Sequence, residues 1–258
     1  GGGGRGGWVL VNIVTSEDLP GCLQPLADSL AAAFPEVVGV VNSVHLAKHS
    51  SPGSHNLEAK HVLYGEDTIR LTLRGLSFKV SSGSFFQNNI KQAEQLYRIV
   101  EEMCSMEEGG VVYDLYCGTG SFGLAAAKNS KAKAVYGFEI VESAVKNAAQ
   151  NARDNEIDNA AFFCGDLSTL LSKNRDLPRP DVAIVDPPRP GMHPDCVKDL
   201  IRLRPPRIVY ISCNPITQFR DIQLLEKAGY RTEEIAPVDL FPHTPHIETV
   251  ALLTLRRK

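Results

Sequence analysis

Asp114-Leu-Tyr-Cys-Gly-Thr-Gly-Ser-Phe-Gly123 is the stretch of sequence that decides the fold. It joins an apolar run at residues 111–115 to a segment with helical periodicity at residues 121–129. A strand, a glycine-rich turn and a helix in this order are typical of the opening unit of a parallel α/β sheet. In such sheets the turn holds a nucleotide-like cofactor.

The pattern of strand and helix continues outward from this turn. The predicted strands are 111–115, 134–139, 160–164, 181–186, 207–212 and 248–255. The predicted helices are 121–129, 141–154, 195–203 and 217–228, with a further helix over 88–104 before the first strand. This regular alternation predicts an α/β fold with a doubly wound, mostly parallel, Rossmann-like sheet.

A smaller α+β unit is predicted ahead of this sheet, over residues 8–84. Its strands are expected at 8–14 and 37–46, its helix at 23–34, a polar loop at 45–58, and a β pair at 69–73 and 76–80 turning at Arg74-Gly75. Residues 1–7 are almost all glycine, so we expect them to be disordered. The predicted domains are therefore 1–7, 8–84 and 85–258.

The composition indicates which classes of protein this chain is unlike. No apolar run reaches the roughly 20 residues that a membrane-spanning helix needs, and none of the six cysteines forms a C-x-x-C pair or has zinc spacing. We therefore expect reduced thiols, an intracellular location in a compartment that the sequence leaves open, and neither a membrane partner nor a metal. The net charge of −3 and the absence of an initiating Met predict that further modules precede this chain and supply phosphate-binding charge if the substrate is nucleic acid.

Polar residues end the predicted strands at one edge of the sheet. They are Asp114, Glu139, Asp166, Asp186 and Cys213. Ligands of open α/β sheets bind beyond the carboxyl ends of the strands, so these groups predict a site there. A thiol close to a cofactor turn indicates a transferase that works through a covalent intermediate.

Charge separates two candidate cofactors at the glycine turn. Gly118-x-Gly120-x-x-Gly123 matches the dinucleotide fingerprint. The pyrophosphate of NAD would be repelled by Asp114, whereas the sulfonium and ammonium of S-adenosylmethionine would be attracted. Glu139 suits ribose hydroxyls and Asp166 suits an adenine amino group, so the residues favour S-adenosylmethionine. Two alternatives stay open: Asp114 as a helix cap and Glu139 as a solvated strand end.

Five motifs in order along the chain resemble those of the RNA 5-methyluridine methyltransferase family, the uracil-C5 enzymes of transfer and ribosomal RNA. They are Phe85-Phe-Gln-Asn-Asn89, Asp114-Leu-Tyr-Cys-Gly-Thr-Gly120, Asp186-Pro-Pro-Arg-Pro-Gly191, Ser212-Cys-Asn-Pro215 and Phe241-Pro-His-Thr-Pro-His-Ile-Glu-Thr-Val250. The resemblance covers residues 85–255 and is less sharp before residue 80. It implies a Rossmann-like methyltransferase domain, S-adenosylmethionine as cofactor, and transfer or ribosomal RNA as partner. The family's N-terminal RNA-binding domain and the iron–sulfur cysteine motif of some members do not occur in this sequence.

Uracil chemistry explains the thiol and one carboxylate. C5 of uracil becomes nucleophilic after a thiolate adds to C6, and a base must then remove the C5 proton. Cys213 ends an apolar run before Asn-Pro, which favours it as nucleophile over the commoner fate of a buried structural cysteine. Glu248 opens the last apolar run and is the predicted base, with an exposed strand-start glutamate as the alternative. His246 is expected either to orient Glu248, to contact RNA, or to be an ordinary loop residue.

The family resemblance implies further site residues. Gln87 contacts the methionine part of the cofactor, Tyr116 and Ser121 flank the glycine turn at cofactor-contact positions, and Asp186 lies near the methyl donor and the target base. Ser121 departs from the asparagine that some members carry. Arg189 is left with two roles, phosphate binding or loop anchoring.

Competing activities fit the motifs less well. Cytosine-C5 RNA methyltransferases typically carry Pro-Cys where this chain has Pro188-Arg189, and adenine-N6 enzymes typically carry Asn/Asp-Pro-Pro-Tyr/Phe. A nicotinamide-dependent oxidoreductase conflicts with Asp114 and with Cys-Asn-Pro. The alternative from another class is a non-catalytic RNA-binding or RNA-folding protein on a methyltransferase fold, which the intact Cys213 and Glu248 disfavour.

Overall fold

The computed structural model describes residues 8–44, 59–82, 89–106, 109–173 and 176–256, which form two compact units. The first unit contains the described residues up to Leu71 together with residues 79–82. The second contains Thr72–Phe78 and the described residues from 89 onward. The expected disorder of residues 1–7 and the expected loop at 45–58 lie outside the described residues.

The first unit is a small sheet with one helix against it. Its elements are β1 (Val9–Thr15), α1 (Pro20–Ala33), β2 (Val37–Val44) and β3 (Ala59–Gly65). The strand order is β1-β2-β3, with β2 parallel to β1 and antiparallel to β3. Ala27, Val37 and Val40 form its buried core. The predictions of β1, α1 and β2 are confirmed, whereas β3 was missed because its polar residues interrupt any apolar run.

The predicted β pair is a hairpin of β4 (Thr68–Leu73) and β5 (Leu76–Ser81). Its two turn residues, Arg74 and Gly75, have φ angles of 51° and 72°. Positive φ at both central positions gives a twist that matches the flanking strands, which is why a two-residue loop suffices. The predicted position of the turn is confirmed.

The second unit contains the seven-stranded sheet. Helix α2 (Ile90–Cys104) precedes it, and the strands are β6 (Val111–Leu115), β7 (Ala134–Glu139), β8 (Ala160–Cys164), β9 (Val182–Val185), β10 (Arg207–Ser212), β11 (Tyr230–Val238) and β12 (Glu248–Leu255). Their order is β11-β12-β10-β9-β6-β7-β8. Strands β6 to β10 run parallel, and β12 runs antiparallel to both of its neighbours. The predicted doubly wound, mostly parallel sheet is confirmed.

Helices connect the strands of this sheet and bury its faces. They are α3 (Ser121–Asn129), α4 (Glu142–Asp154), α5 (Leu167–Lys173), α6 (Pro194–Leu203) and α7 (Pro215–Lys227). The core joins strand residues such as Tyr113 and Ile208 to helix residues such as Leu200 and Leu225. Helix α7 begins two residues earlier than predicted, because Asn214 caps it and Pro215 fits its first turn.

The sheet changes direction of growth between β6 and β9. After β6 the chain adds β7 and β8 on one side, and then returns to add β9 and β10 on the other. At such a switch point the connections diverge and leave a crevice at the carboxyl ends of the strands. The glycine turn after β6 and the Asp-Pro-Pro-Arg segment after β9 flank this crevice.

Two elements of this unit were not predicted. Strand β11 lies at the sheet edge and has mostly exposed or half-exposed residues, so its sequence is polar. Helix α5 has only seven residues, which is too short for a clear helical period. Neither changes the class of fold.

Candidate active site

Six chemical groups lie along one edge of the large sheet. In spatial order they are Glu248 at the start of β12, Cys213 after β10, Asp186 after β9, the glycine turn after β6, Glu139 at the end of β7 and Asp166 after β8. The predicted convergence is therefore present. The thiol and two carboxyls occupy one half of the edge, and the glycine turn with two further carboxylates occupies the other.

The glycine turn leaves open space on one side. Gly118 and Gly120 have φ angles of 53° and 79°, a region that side chains disfavour. A Cβ on Gly118 would meet nothing within 4 Å, whereas one on Gly120 would lie 2.8 Å from the ring of Phe162. The turn thus packs tightly on the sheet through Gly120 and presents Gly118 to free volume.

Asp114 supports the turn from behind. It is fully buried, and its Oδ2 accepts a hydrogen bond from the Gly123 N–H at 2.8 Å. Its Oδ1 has no partner among the described residues. Burial raises the pKa of Asp114 to about 7, although the Gly123 N–H opposes the shift. Asp114 thus binds the first turn of α3, but it is not the cap of that helix, whose N-cap residue is Gly120.

Glu139 and Asp166 also bind backbone N–H groups. Glu139 Oε2 accepts from Gly118 at 3.0 Å, and its Oε1 accepts from Ile140 and Val141 at 2.8 and 2.9 Å. Asp166 Oδ1 accepts from Thr169 at 2.9 Å and caps helix α5. Both carboxylates are therefore fixed in orientation beside the crevice, and Glu139 Oε2 and Asp166 Oδ1 can each accept one further hydrogen bond.

Tyr116 and Ser121 lie on either side of the glycine turn, as predicted. Tyr116 has a φ of 65° and is half-buried. Ser121 Oγ accepts a hydrogen bond from the Tyr97 hydroxyl at 2.6 Å. Gln87 lies outside the described residues, as do Phe85 and Phe86.

The thiol and the predicted base lie on neighbouring strands. In the antiparallel ladder of β10 and β12, Ser212 pairs with Thr249. Cys213 follows Ser212 and Glu248 precedes Thr249, so the two residues lie one position beyond the last pair of this ladder. Paired residues in such a ladder have Cα atoms about 4.5–5.5 Å apart, which brings these side chains within reach of one another.

Burial and charge set the protonation of this half of the site. Glu248 is 5% exposed, and burial raises its pKa to about 7. Burial raises the pKa of the half-buried Cys213 thiol, the charges of Glu248 and Asp186 add to this, and Arg189 opposes it. Burial raises the pKa of Asp186 well above its usual range, and the charges of Glu248 and Asp114 add to this rise. This half of the site therefore retains protons near neutral pH.

Buried polar residues that the sequence did not reveal fix the strand ends. Gln218 of α7 is 3% exposed; its Nε2 donates to Tyr210 O at 2.8 Å, and its Oε1 accepts from the Thr249 hydroxyl at 2.8 Å. The sequence contains a pattern that could have revealed them. Gln218 and Asp221 share a helical spacing with the apolar Ile222 and Leu225, so they lie on the buried face of α7.

The loop before β12 exposes His246. Its ring packs edge-on against Phe241, with centroids 6.4 Å apart, and its backbone N–H donates to the Thr244 hydroxyl. Within the described residues, no cluster of three or more His, Cys, Asp or Glu could hold a metal ion. No helix in that part of the chain is long and apolar enough to cross a membrane.

The fold is that of a methyltransferase. The solved Methanocaldococcus jannaschii tRNA m1G37 methyltransferase superposes with a TM-score of 0.63 over 98% of this chain and 71% of that chain, at 15% identity. At this level of identity the likeness concerns the fold alone.

The chain belongs to the tRNA (uracil-5-)-methyltransferase family, whose model matches residues 55–256. The resemblance drawn from the motifs is thereby confirmed.

Relatives and a solved structure agree with this membership. An uncharacterized RNA methyltransferase of Clostridium tetani is 39% identical over 98% of this chain and 54% of its own length. One of Enterococcus faecalis is 41% identical, over 96% and 53%. The crystal structure of Pyrococcus abyssi tRNA (uracil-54, C5)-methyltransferase with S-adenosyl-L-homocysteine is 36% identical, with a TM-score of 0.72 over 96% of this chain and 56% of that one. The chain thus spans about half the length of the relatives that it matches.

Proposed function

We propose that this chain carries the active site of an S-adenosylmethionine-dependent enzyme that methylates C5 of a uridine in transfer or ribosomal RNA. One observation carries the proposal: the Ser212–Thr249 register pair brings the Cys213 thiol and the Glu248 carboxyl together beside Asp186. Residues 85–258 are the catalytic domain in this proposal, and residues 8–84 contribute to RNA binding. The enzyme acts inside the cell, where its RNA substrate is made.

The residues of the crevice fit S-adenosylmethionine. Gly118 faces free volume, and Glu139 and Asp166 hold oriented carboxylate oxygens beside it, which suits ribose hydroxyls and an amino group. The carboxylates of Glu139 and Asp166 favour a ligand that carries cationic or hydrogen-bond-donating groups. Tyr116 and Ser121 border the same turn, and Asp186 lies between it and the thiol. When bound, S-adenosylmethionine supplies an electrophilic methyl group.

The reaction follows from the positions of the three groups beside the thiol. Cys213 loses its proton to solvent, and its sulfur adds to C6 of the uracil ring, which gives an enolate. C5 of that enolate takes the methyl group and becomes tetrahedral. The Glu248 carboxylate then removes the C5 proton, the C6–S bond breaks, and 5-methyluridine leaves with the thiolate restored. A pKa of about 7 suits Glu248 to this proton transfer near neutral pH.

The target base must leave the RNA stack to reach Cys213. The thiol is half-buried at a strand end, so a stacked or paired uracil cannot present C6 to it. Base flipping or local refolding of the RNA is therefore part of the proposal.

The test is nucleoside mass spectrometry of unmodified transfer RNA and ribosomal RNA fragments after incubation with the protein and methyl-labelled S-adenosylmethionine. Label in 5-methyluridine supports the proposal, and the RNA that carries it identifies the substrate class. Absence of label with both RNA classes, while S-adenosylhomocysteine binds in calorimetry, would count against catalysis.

Two variants test the roles of the thiol and the base. Cys213→Ala should reduce turnover by at least about 10³-fold and form no protein–RNA adduct, because it lacks the nucleophile. Glu248→Gln should also lose turnover but accumulate a denaturation-resistant adduct, because the C5 proton stays in place. Cys22→Ala is the matched control, since that exposed thiol lies on helix α1 of the first unit. Normal turnover by either site variant would refute its assigned role.

A further inference from the structure

The segment between β9 and α6 is anchored to helix α7. We call residues 186–191 the Asp186 loop; it carries both Asp186 and Arg189. The Asn214 side-chain amide and the Thr217 hydroxyl each donate to the carbonyl oxygen of Arg189 at 3.2 Å. The first turn of α7, which directly follows Cys213, therefore binds the middle of this loop.

An ion pair between a buried aspartate and a half-exposed arginine, on the next turn of α7, binds the end of the loop. Arg220 Nη2 donates to the carbonyl oxygens of Pro190 and Met192 at 3.1 and 3.3 Å. Asp221 Oδ2 accepts the Met192 N–H at 2.9 Å, and its Oδ1 accepts Arg220 Nε at 2.9 Å. Asp221 is 1% exposed.

Gly191 shows how closely the loop packs on this pair. It has a φ of 83°, and a Cβ built there would lie 2.7 Å from Arg220 Nη2 and 2.8 Å from Asp221 Oδ2. The backbone of the loop thus rests directly on the two charged groups, without an intervening side chain.

The same aspartate reaches the strand that carries the thiol. Asp221 Oδ2 also accepts the Tyr210 hydroxyl at 2.8 Å, and Tyr210 lies in β10, three residues before Cys213. One carboxylate therefore joins β10, α7 and the Asp186 loop. A buried carboxylate with three donors is costly to disturb, because each donor it releases is left unsatisfied.

We propose that Arg220 and Asp221 are positioning residues that fix the Asp186 loop relative to Cys213, and so place Asp186 and Arg189 for the methyl transfer. The proposal rests on the function proposed above. Neither residue touches the reacting atoms; both act through the loop backbone. Displacement of catalytic groups by about 1 Å can cost about 100-fold in rate, which sets the scale of the effect.

The kinetic test compares Asp221→Asn with Asp199→Asn. Asp199 is a matched control on helix α6. Like Asp221 it is buried and pairs with an exposed arginine of its own helix, in this case Arg202 at 2.6 Å. Asp221→Asn should lower kcat about 10- to 100-fold, with KM for RNA and S-adenosylhomocysteine affinity within about threefold of wild type. Asp199→Asn should lower Tm but retain kcat. Equal loss of kcat in both variants, or full kcat in Asp221→Asn, would overturn the proposal.

A second variant covers the case in which Asp221→Asn fails to fold. Arg220→Lys keeps the charge on a half-exposed side chain but cannot bond Asp221 and two carbonyls through one planar group. It should show the same selective loss of kcat. Wild-type kcat in Arg220→Lys would contradict the proposal.

A readout without turnover separates this proposal from the proposed function. Glu248, Asp186 and Arg189 act on the Cys213 thiol, and Arg189 is the one that favours its ionisation. If Arg220→Lys frees the loop, Asp186 and Arg189 both move relative to the thiol, so the pH midpoint of Cys213 alkylation should shift from that of wild type, even if no RNA is methylated. An unchanged midpoint would refute the positioning role, whereas absent 5-methyluridine in wild type would refute only the function.

Discussion

At the scale of single residues, Cys213 is surrounded by groups that oppose its ionisation. Burial raises its pKa above the ordinary value of 9.0, and the charges of Glu248 and Asp186 add to the rise. The charge of Arg189 lowers the pKa. At neutral pH the resting group is therefore a thiol. A cation close to it, such as a sulfonium, would lower its pKa.

This leads to a prediction about Cys213 reactivity. Alkylation followed by peptide mass spectrometry should show a pH midpoint above about 9, raised further in Arg189→Gln. S-adenosylmethionine should lower the midpoint, whereas the uncharged thioether of S-adenosylhomocysteine should not. The exposed Cys22 and Cys164 provide internal controls in the same samples. Equal effects of both ligands would contradict the electrostatic explanation.

Glu248 yields a prediction about stability. Burial raises its pKa from 4.5 to about 7, so the folded state binds more protons than the unfolded state between these values. The stability that protonated Glu248 contributes is fully present below pH 4.5 and is lost as pH rises through 7. Glu248→Gln removes this loss, so at pH 8 its free energy of unfolding should exceed that of wild type by about 1–3 kcal/mol.

Urea unfolding at pH 5 and pH 8 measures this difference. Glu142→Gln is the control, because Glu142 is exposed and pairs with Lys146 on the surface of α4. It should follow the pH dependence of wild type. A gap between Glu248→Gln and wild type that shrinks toward pH 8 would show that the sign is wrong.

The sequence identified these residues but not all of their contacts. Strand-end position and uracil chemistry were enough to single out Cys213 and Glu248. The sequence only partly predicted the hydrogen bonds that Asp114, Glu139 and Asp166 accept from backbone N–H groups. The order of residues does not show the geometry of a turn. Asp221 and Gln218 were missed because a polar residue on a helix is usually exposed.

At the scale of elements, two glycines of the same strand–turn–strand region have opposite surroundings. Gly118 faces free volume, whereas a Cβ on Gly137 of β7 would lie 2.4 Å from the ring of Phe162 and 2.9 Å from the sulfur of Cys117. One glycine therefore serves the crevice, and the other lets the turn and β8 pack against β7.

Alanine at each position should separate these roles. Gly118→Ala should weaken S-adenosylhomocysteine binding at least about tenfold, at a stability cost of about 1–2 kcal/mol from its positive φ. Gly137→Ala should destabilise the protein more strongly through overpacking. Calorimetry and thermal unfolding measure the two quantities. Unchanged ligand affinity in Gly118→Ala would show that the ligand does not approach this side of the turn.

The strands that the sequence predicted well are those with a continuous apolar run. Strands β6, β7, β8, β10 and β12 lie within their predicted limits because each is a short apolar run between turn signals. Strand β11 was missed because an edge strand buries few residues, and its pairing with β12 depends on a neighbour distant in sequence. The position of β11 is thus defined by its tertiary context rather than by its own pattern.

At the scale of the whole molecule, the two units differ in the size of their cores. The core of the first unit centres on Ala27, Val37 and Val40, whereas the core of the second extends through its sheet and helices. Local stability follows the apolar surface that each unit buries. The first unit should therefore open more readily.

Hydrogen exchange checks this expectation. Amides of β2 should exchange faster than those of β10, by about tenfold or more. S-adenosylhomocysteine should slow exchange in the second unit, because a ligand stabilises the part that binds it. Slower exchange in β2 than in β10 would mean that core size does not govern opening here.

The pairing of Ser212 with Thr249 has a consequence for how such an enzyme can diversify. The spacing of thiol and carboxylate is set by a strand ladder, while residues 239–247, which lead into Glu248, lie outside it. Insertions or exchanges in that connection can alter which RNA is admitted without moving the reacting groups. The choice of RNA and the methyl-transfer reaction can therefore change independently during evolution. Exchange of residues 239–247 between relatives should transfer the preference for the target RNA and leave the reaction unchanged.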